Sequence, residues 1–152
     1  MKKFLLIILI IFLTGCINKN EDVKSEYIAM KNHLFEEKIE DNNADLPLDI
    51  VVNVDRLDEE EVVYKVILDD PKEDMYNIKV MVVHNYYSEE IYPTIGVFDE
   101  KEELLKGDDE KLELTGTIKT TKNISDIALK IKLSLQYEDK LGEIREIYYE
   151  TT

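Results

Sequence analysis

From Leu48 to the end of the chain, apolar and polar residues alternate with a period of two, and this pattern limits the fold more than any other feature. The longest run has apolar residues at Ile127, Leu129, Ile131, Leu133, Leu135 and Tyr137. Polar residues such as Lys130 and Lys132 separate them. Because successive side chains of a β-strand point to opposite faces of the sheet, this run predicts a strand with one buried and one solvated face.

Similar segments recur along the chain and predict seven strands in total. They cover residues 48–55, 62–68, 76–83, 94–98, 112–118, 127–137 and 144–149. In residues 76–83, the face with Tyr76 and Val82 is predicted to be buried, and the face with Met81 and Val83 to be solvated. In the last segment Ile147 and Tyr149 oppose Ile144 and Tyr148, so the pattern does not assign its buried face. Turn-forming residues separate the segments, and only residues 100–105 could add a helical turn. Seven short strands joined by turns predict an all-β domain over 47–152, an antiparallel seven-stranded β-sandwich.

The first sixteen residues have the order of a secretory signal. Lys2 and Lys3 precede ten uninterrupted apolar residues, and Thr14, Gly15 and Cys16 follow. A membrane-spanning helix needs about 20 apolar residues, so this run is too short to be read as a span. Cys16 is the only cysteine, which excludes a disulfide within one chain.

The segment formed by Leu13, Thr14, Gly15 and Cys16 resembles the lipobox of bacterial lipoproteins. The resemblance implies that residues 1–15 are a signal peptide and that Cys16 receives a diacylglyceryl group. It also implies a lipid-anchored protein on the outer face of the cell membrane. The alternative is an uncleaved helical anchor with an incidental cysteine.

Two further resemblances concern the rest of the chain. The strand pattern of residues 47–152 resembles the immunoglobulin and fibronectin-III group of extracellular modules, without the Cys…Trp…Cys signature. Residues 70–80 resemble small lipoproteins of low-GC Gram-positive bacteria, for which the resemblance implies no particular activity.

Residues 16–46 are predicted to be a lipidated tether between the membrane and the domain. A short helix is expected over residues 25–40, with Ser25 as its N-cap. Ile28, Phe35 and Ile39 would share one face of this helix. His33 is interpreted as a bystander on its polar side.

The charge balance excludes one class of partner. The chain has 34 acidic and 19 basic residues, and removal of Lys2 and Lys3 leaves 34 against 17, a net charge of −17. Affinity for nucleic acid comes largely from Lys and Arg on phosphates, so we predict no nucleic-acid partner. Acidic surfaces also avoid anionic head groups, so membrane association is expected to come from the lipid on Cys16.

No catalytic residue, metal site or cofactor is predicted. His84 shares a strand face with Val80 and Val82, which indicates the rim of a core rather than a general base. Two histidines and a lipidated cysteine cannot form a zinc site without carboxylates. Two loops are rich in carboxylates: Asp69, Asp70 and Asp74 in one, and Asp108, Asp109 and Glu110 in the other. We expect these carboxylates to be solvated, with a weak calcium site as the alternative.

The connection after His84 carries the only candidate binding residues, Tyr86, Tyr87 and Tyr92. Tyrosine is favoured in binding loops because it is large, amphipathic and has few rotatable bonds. The alternative is that these rings cap the end of the sandwich.

These features favour a non-enzymatic interaction module whose partner is an envelope protein or another envelope component. An accessory ligand- or ion-binding lipoprotein is the second hypothesis, and a small envelope hydrolase is the least favoured.

Overall fold

The computed structural model describes residues 19–36, 46–86 and 94–151, and these form mostly β-structure. Helix α1 comes first, at Lys19–Glu36. The strands are β1 (Asp49–Arg56), β2 (Glu61–Asp69), β3 (Met75–His84), β4 (Thr94–Leu104), β5 (Leu112–Lys119), β6 (Ile131–Glu138) and β7 (Ile144–Glu150), with a 3₁₀ turn at Ile124–Asp126. The predicted all-β class is confirmed. The predicted signal peptide and Cys16 lie outside the described residues.

The strands form two antiparallel sheets. One sheet has the order β1-β2-β5, and the other has the order β4-β3-β6-β7. Val66 pairs with Val52 and with Leu114 in the first sheet, while Val82 pairs with Ile95 and Leu133 in the second. This register keeps the apolar positions of neighbouring strands on the same face of each sheet.

Both sheets contribute their apolar faces to one hydrophobic core. Tyr64, Val66 and Leu68 enter it from β2, and Leu133 and Leu135 enter it from β6. The burial predicted from the alternation in these two strands is therefore confirmed.

Strand β7, whose facing the sequence left open, is now assigned. Ile147 and Tyr149 pack against this core, whereas Tyr148 packs against a second cluster on the other side of the sheet.

The outer face of the four-stranded sheet is covered by α1. Met81 and Val83, which the alternation placed on a solvated face, are buried there beneath Leu34. Tyr27 and Met30 complete the contact, so the apolar stripe of the helix follows i, i+3 and i+7.

The predicted facing of the helix was wrong at Ile28 and right at Phe35, which packs against this cluster, and the predicted start was wrong. Ile28 is 45% exposed, because the sheet contact selects the stripe of Tyr27 and Leu34 instead. The helix also begins at Lys19, six residues before Ser25. Ile39 and the predicted end of the helix lie outside the described residues. Within the part of the chain that is described, no helix combines the length and apolarity that a bilayer crossing requires.

Strand β3 departs from strict alternation. Its pairing shifts register between Tyr76 and Lys79, and Asn77 has a positive φ of 50°. The irregularity turns Met75 into the core in place of Tyr76, which was predicted to be buried.

Two other elements differ from their predicted bounds. The expected helical turn at 100–105 is instead the continuation of β4, which pairs with β3 as far as Leu104. Strand β6 begins at Ile131 rather than at Ile127, because the 3₁₀ turn and a short irregular segment precede it.

The loops leave the sheets at two opposite ends. At the first, which we call the hairpin end, the chain turns at residues 70–74, 105–111 and 139–143. At the second, which we call the tyrosine end, lie residues 57–60, 85–86 and 120–130.

Candidate functional site

The tyrosine end begins with a clamp made by Asn85. Its Nδ2 donates to the Ala128 carbonyl at 2.9 Å, and its Oδ1 accepts from the Lys130 amide at 2.8 Å. The backbone amide of Asn85 also donates to the Lys130 carbonyl at 3.1 Å. These three bonds join the end of β3 to the segment before β6. They therefore fix the position of Asn85 and of the backbone that leads to Tyr86.

Tyr86 is held by this clamp and by two neighbours. Its backbone amide donates to Nδ1 of His84 at 3.0 Å, and its ring packs partly against the core. Lys122 Nζ lies 5.3 Å from the centre of the ring and 3.4 Å from the hydroxyl oxygen. The predicted capping role and the predicted binding role both fit this half-buried position. Tyr87 and Tyr92 lie outside the described residues.

The loop that carries Lys122 is itself anchored. Nη1 of Arg56 donates to the Thr120 carbonyl at 2.8 Å, and Nη2 donates to the Lys122 carbonyl. Arg56 therefore connects the end of β1 to the loop beside Tyr86.

His84 is buried at the base of this site, with 3% of its surface exposed. Because Nδ1 accepts a hydrogen bond, the proton of the neutral ring resides on Nε2. That buried nitrogen has no hydrogen-bond partner among the described residues. The ring lies 5.1 Å from that of Tyr64 with the planes 82° apart. Burial lowers the pKa of His84 to about 4 and raises the pKa of Tyr64 to about 12, so both are neutral at pH 7.

A cavity of about 190 Å³ lies between the end of α1 and strands β3, β6 and β7. Leu34, Phe35 and Val83 form apolar walls, and Lys130, Lys132 and Glu150 also line it. Drug-sized ligands occupy pockets of about 300–1,000 Å³. This cavity is smaller than that. A second cavity, of about 290 Å³ beside Met30 and Tyr148, is close to the lower limit.

At the hairpin end, the two acidic loops contact each other, and two of their carboxylates accept hydrogen bonds from backbone amides. Oδ1 of Asp74 accepts from the Lys106 amide at 3.0 Å, which joins the two loops. Oδ1 of Asp69 accepts from the Asp70 amide at 2.8 Å. Across residues 19–36, 46–86 and 94–151, no three His, Cys, Asp or Glu side chains are grouped to hold a metal ion.

The predicted turn between β6 and β7 is present, and it is held by Asp139, for which the sequence predicted no role. Oδ1 of Asp139 accepts from the amides of Leu141 and Glu143, at 2.8 and 3.0 Å. Its Oδ2 accepts from Nε and Nη2 of Arg145, at 3.1 and 3.0 Å. The Glu143 amide above all, and then the Leu141 amide and Arg145, hold the pKa of Asp139 below its usual range.

The turn carries two solvent-exposed aliphatic side chains. Leu141 is 75% exposed and Ile144 is 67% exposed. An aspartate three residues before Gly142, which has a φ of 76°, was the available sequence signal for a tight turn. That signal does not reveal the exposure of the two aliphatic residues.

No protein-family model matches the chain, and no curated protein sequence matches it. A crystal structure of a Bordetella pertussis protein described as ApaA is similar, with 15% identity and a TM-score of 0.41. The match covers 69% of this chain and 92% of that one. Spo0M, a sporulation control protein from Bacillus subtilis, matches with 9% identity and a TM-score of 0.28, over 70% of this chain and 49% of that one. At this level of similarity neither structure bears on the function.

Proposed function

We propose that the protein is a lipid-anchored, non-enzymatic interaction module on the outer face of the cell membrane. The lipid anchor is proposed at Cys16, on the basis of the basic start, the short apolar run and the residues Leu13 to Cys16. The partner class is an envelope protein, which the tyrosine end would contact.

We infer that the two sheets form a sandwich of the immunoglobulin and fibronectin-III group. The core shared by both sheets supports this, as do the strand orders 1-2-5 and 4-3-6-7. In immunoglobulin constant-type domains the fourth strand pairs with the fifth. Here β4 pairs with β3 instead, which favours the fibronectin-III variant.

The observation that carries the interaction function is the preorganised position of Tyr86. Asn85 and His84 fix its backbone, and Lys122 lies over its ring. A partner that contacts a side chain already held in place loses less conformational entropy on binding. A tyrosine beside a lysine also offers an apolar ring, a hydroxyl and a positive charge within one small surface.

A photo-reactive amino acid at exposed Ser125, three residues after Lys122 in the same loop, should crosslink to one discrete protein in native membranes. We expect the product to disappear when Tyr86→Ala is added, because the partner then loses its central contact. The matched control places the same group at Lys140, at the hairpin end, and should not give that product. Identical products from both positions, or a product that survives Tyr86→Ala, would contradict the assignment of the site.

The anchor has its own prediction. Cys16→Ser should release the protein from membranes or stop its maturation, because no thiol is left to receive the lipid. Buried acyl chains contribute about 0.8 kcal/mol per CH₂, and durable anchoring takes two signals, such as two chains. Membrane fractionation and intact mass measure the outcome. The control Asn20→Ser should stay on membranes and change the mass only by that of the substitution. A Cys16→Ser protein that stays on membranes with only the mass change of the substitution would rule out lipidation.

A further inference from the structure

Helix α1 runs along strand β3 in a known direction. In the middle of the helix, Oε1 of Glu26 lies 2.6 Å from Nζ of Lys79. Near its end, Leu34 packs in one cluster with Val83. The eight residues from Glu26 to Leu34 span about 12 Å of helix, and the four from Lys79 to Val83 span about 13 Å of strand. The two elements are therefore nearly parallel, and the helix ends at the tyrosine end.

The start of the helix must then lie towards the hairpin end. Lys19 is seven residues before Glu26, which places it about 10 Å further along the axis. The four residues of strand from Lys79 back to Met75, where β3 begins, span a similar length. Lys19 therefore lies level with the start of β3. Cys16 precedes Lys19 by three residues, so its Cα lies within about 11 Å of that of Lys19. The proposed lipid therefore emerges close to the hairpin end.

The same end carries the rigid turn with Leu141 and Ile144. The bonds to Asp139 hold the backbone of this turn in place, so Leu141 and the adjoining Ile144 can enter another surface with little further loss of backbone entropy. The tyrosine end also exposes apolar residues, at Leu57 and Ile124. The start of α1 at Lys19, however, lies at the opposite end of the domain from them.

We propose that Leu141 and Ile144 insert into the lipid surface that holds Cys16, so that the domain stands on the bilayer with its hairpin end against the membrane. This rests on the proposed lipid anchor. The same end of the domain holds Asp108, Asp109 and Glu110, which anionic head groups repel. Electrostatic attraction therefore cannot hold this end on the membrane, and the proposed contact is apolar. Shallow burial of aliphatic side chains at the head-group boundary needs no such attraction.

The test uses the full lipidated protein in phosphatidylcholine vesicles. Because the Cys16 thiol carries the lipid, a single thiol introduced as Leu141→Cys can take a spin label alone. Ile124→Cys, at the tyrosine end, is the matched control, and Ile144→Cys is the second test position. Accessibility to oxygen, relative to a water-soluble nickel chelate, reports whether each label lies in lipid or in water.

We expect this ratio to be several-fold higher at positions 141 and 144 than at position 124. Labels that are equally water-exposed at all three positions, on protein that floats with the vesicles, would overturn the hairpin contact and leave the anchor standing. A lipid-like label at position 124 alone would reverse the orientation and also overturn it. Protein that fails to float with the vesicles would overturn the anchor and the contact together.

Discussion

Replacement of Leu133 by alanine is expected to lower the free energy of unfolding by about 2–5 kcal/mol. Leu133 is fully buried, and its strand neighbours are Val82 on one side and Tyr149 on the other. The truncation removes apolar atoms from the core shared by the two sheets and leaves a cavity that the paired strands cannot easily close. Urea unfolding of the domain, followed by circular dichroism, measures the change.

Leu141 provides a control with the same chemical change. Its side chain is mostly exposed at the turn between β6 and β7, so Leu141→Ala should alter the free energy of unfolding by less than about 0.5 kcal/mol. Equal unfolding midpoints for the two variants would mean that β6 does not bury the face that contains Leu133.

The sequence predicts the burial of Leu133 because only a period-two pattern fits residues 131–137 and a strand has only two faces. The same reasoning fails for Met81 and Val83, which are as apolar as their neighbours on the inner face. Their burial depends on α1, which approaches from a distant part of the chain. It also fails at Met75, because the irregularity near Asn77 shifts the alternation by one residue.

For the candidate sites, too, the sequence predicts features of single residues but not those that depend on distant parts of the chain. The sequence identifies Tyr86 as a candidate because tyrosine is favoured in binding loops. It does not predict the hydrogen bonds that fix the backbone beside Tyr86, since Asn85 makes them with residues 43 and 45 positions away in the chain. The exposure of Leu141 is equally hidden, because a leucine beside a strand is more typical of a core.

The two proposals assign opposite roles to the two ends of the domain. If the hairpin end rests on lipid, the tyrosine end faces away from the membrane, since the strands that separate them are seven to eleven residues long. A partner in the envelope would then meet Tyr86 and Lys122 first. Helix α1 links the two roles, because its contact with β3 places Lys19 towards the hairpin end, and the proposed anchor is three residues before Lys19 in the chain.

Acidification should destabilise the fold through His84. In the unfolded chain a histidine has a pKa of about 6.5, whereas burial lowers the pKa of His84 to about 4 in the folded protein. Between these values the unfolded chain binds a proton that the folded protein does not, so stability falls as the pH drops through this window and does not change through His84 above it. The difference in pKa corresponds to a loss of about 3 kcal/mol by pH 4.

The variant His84→Asn isolates this contribution, because asparagine does not titrate and its Oδ1 can still accept from the Tyr86 amide. Carboxylates such as Asp139 also titrate as the pH falls, but they do so in both proteins and cancel when the two are compared. Unfolding in urea at intervals from pH 7.5 to 4 gives the free energy for each. The wild-type curve should fall more steeply than the variant curve below about pH 6.5. Two parallel curves would mean that the buried ring accepts its proton without cost, which contradicts the desolvation of His84 beside Tyr64.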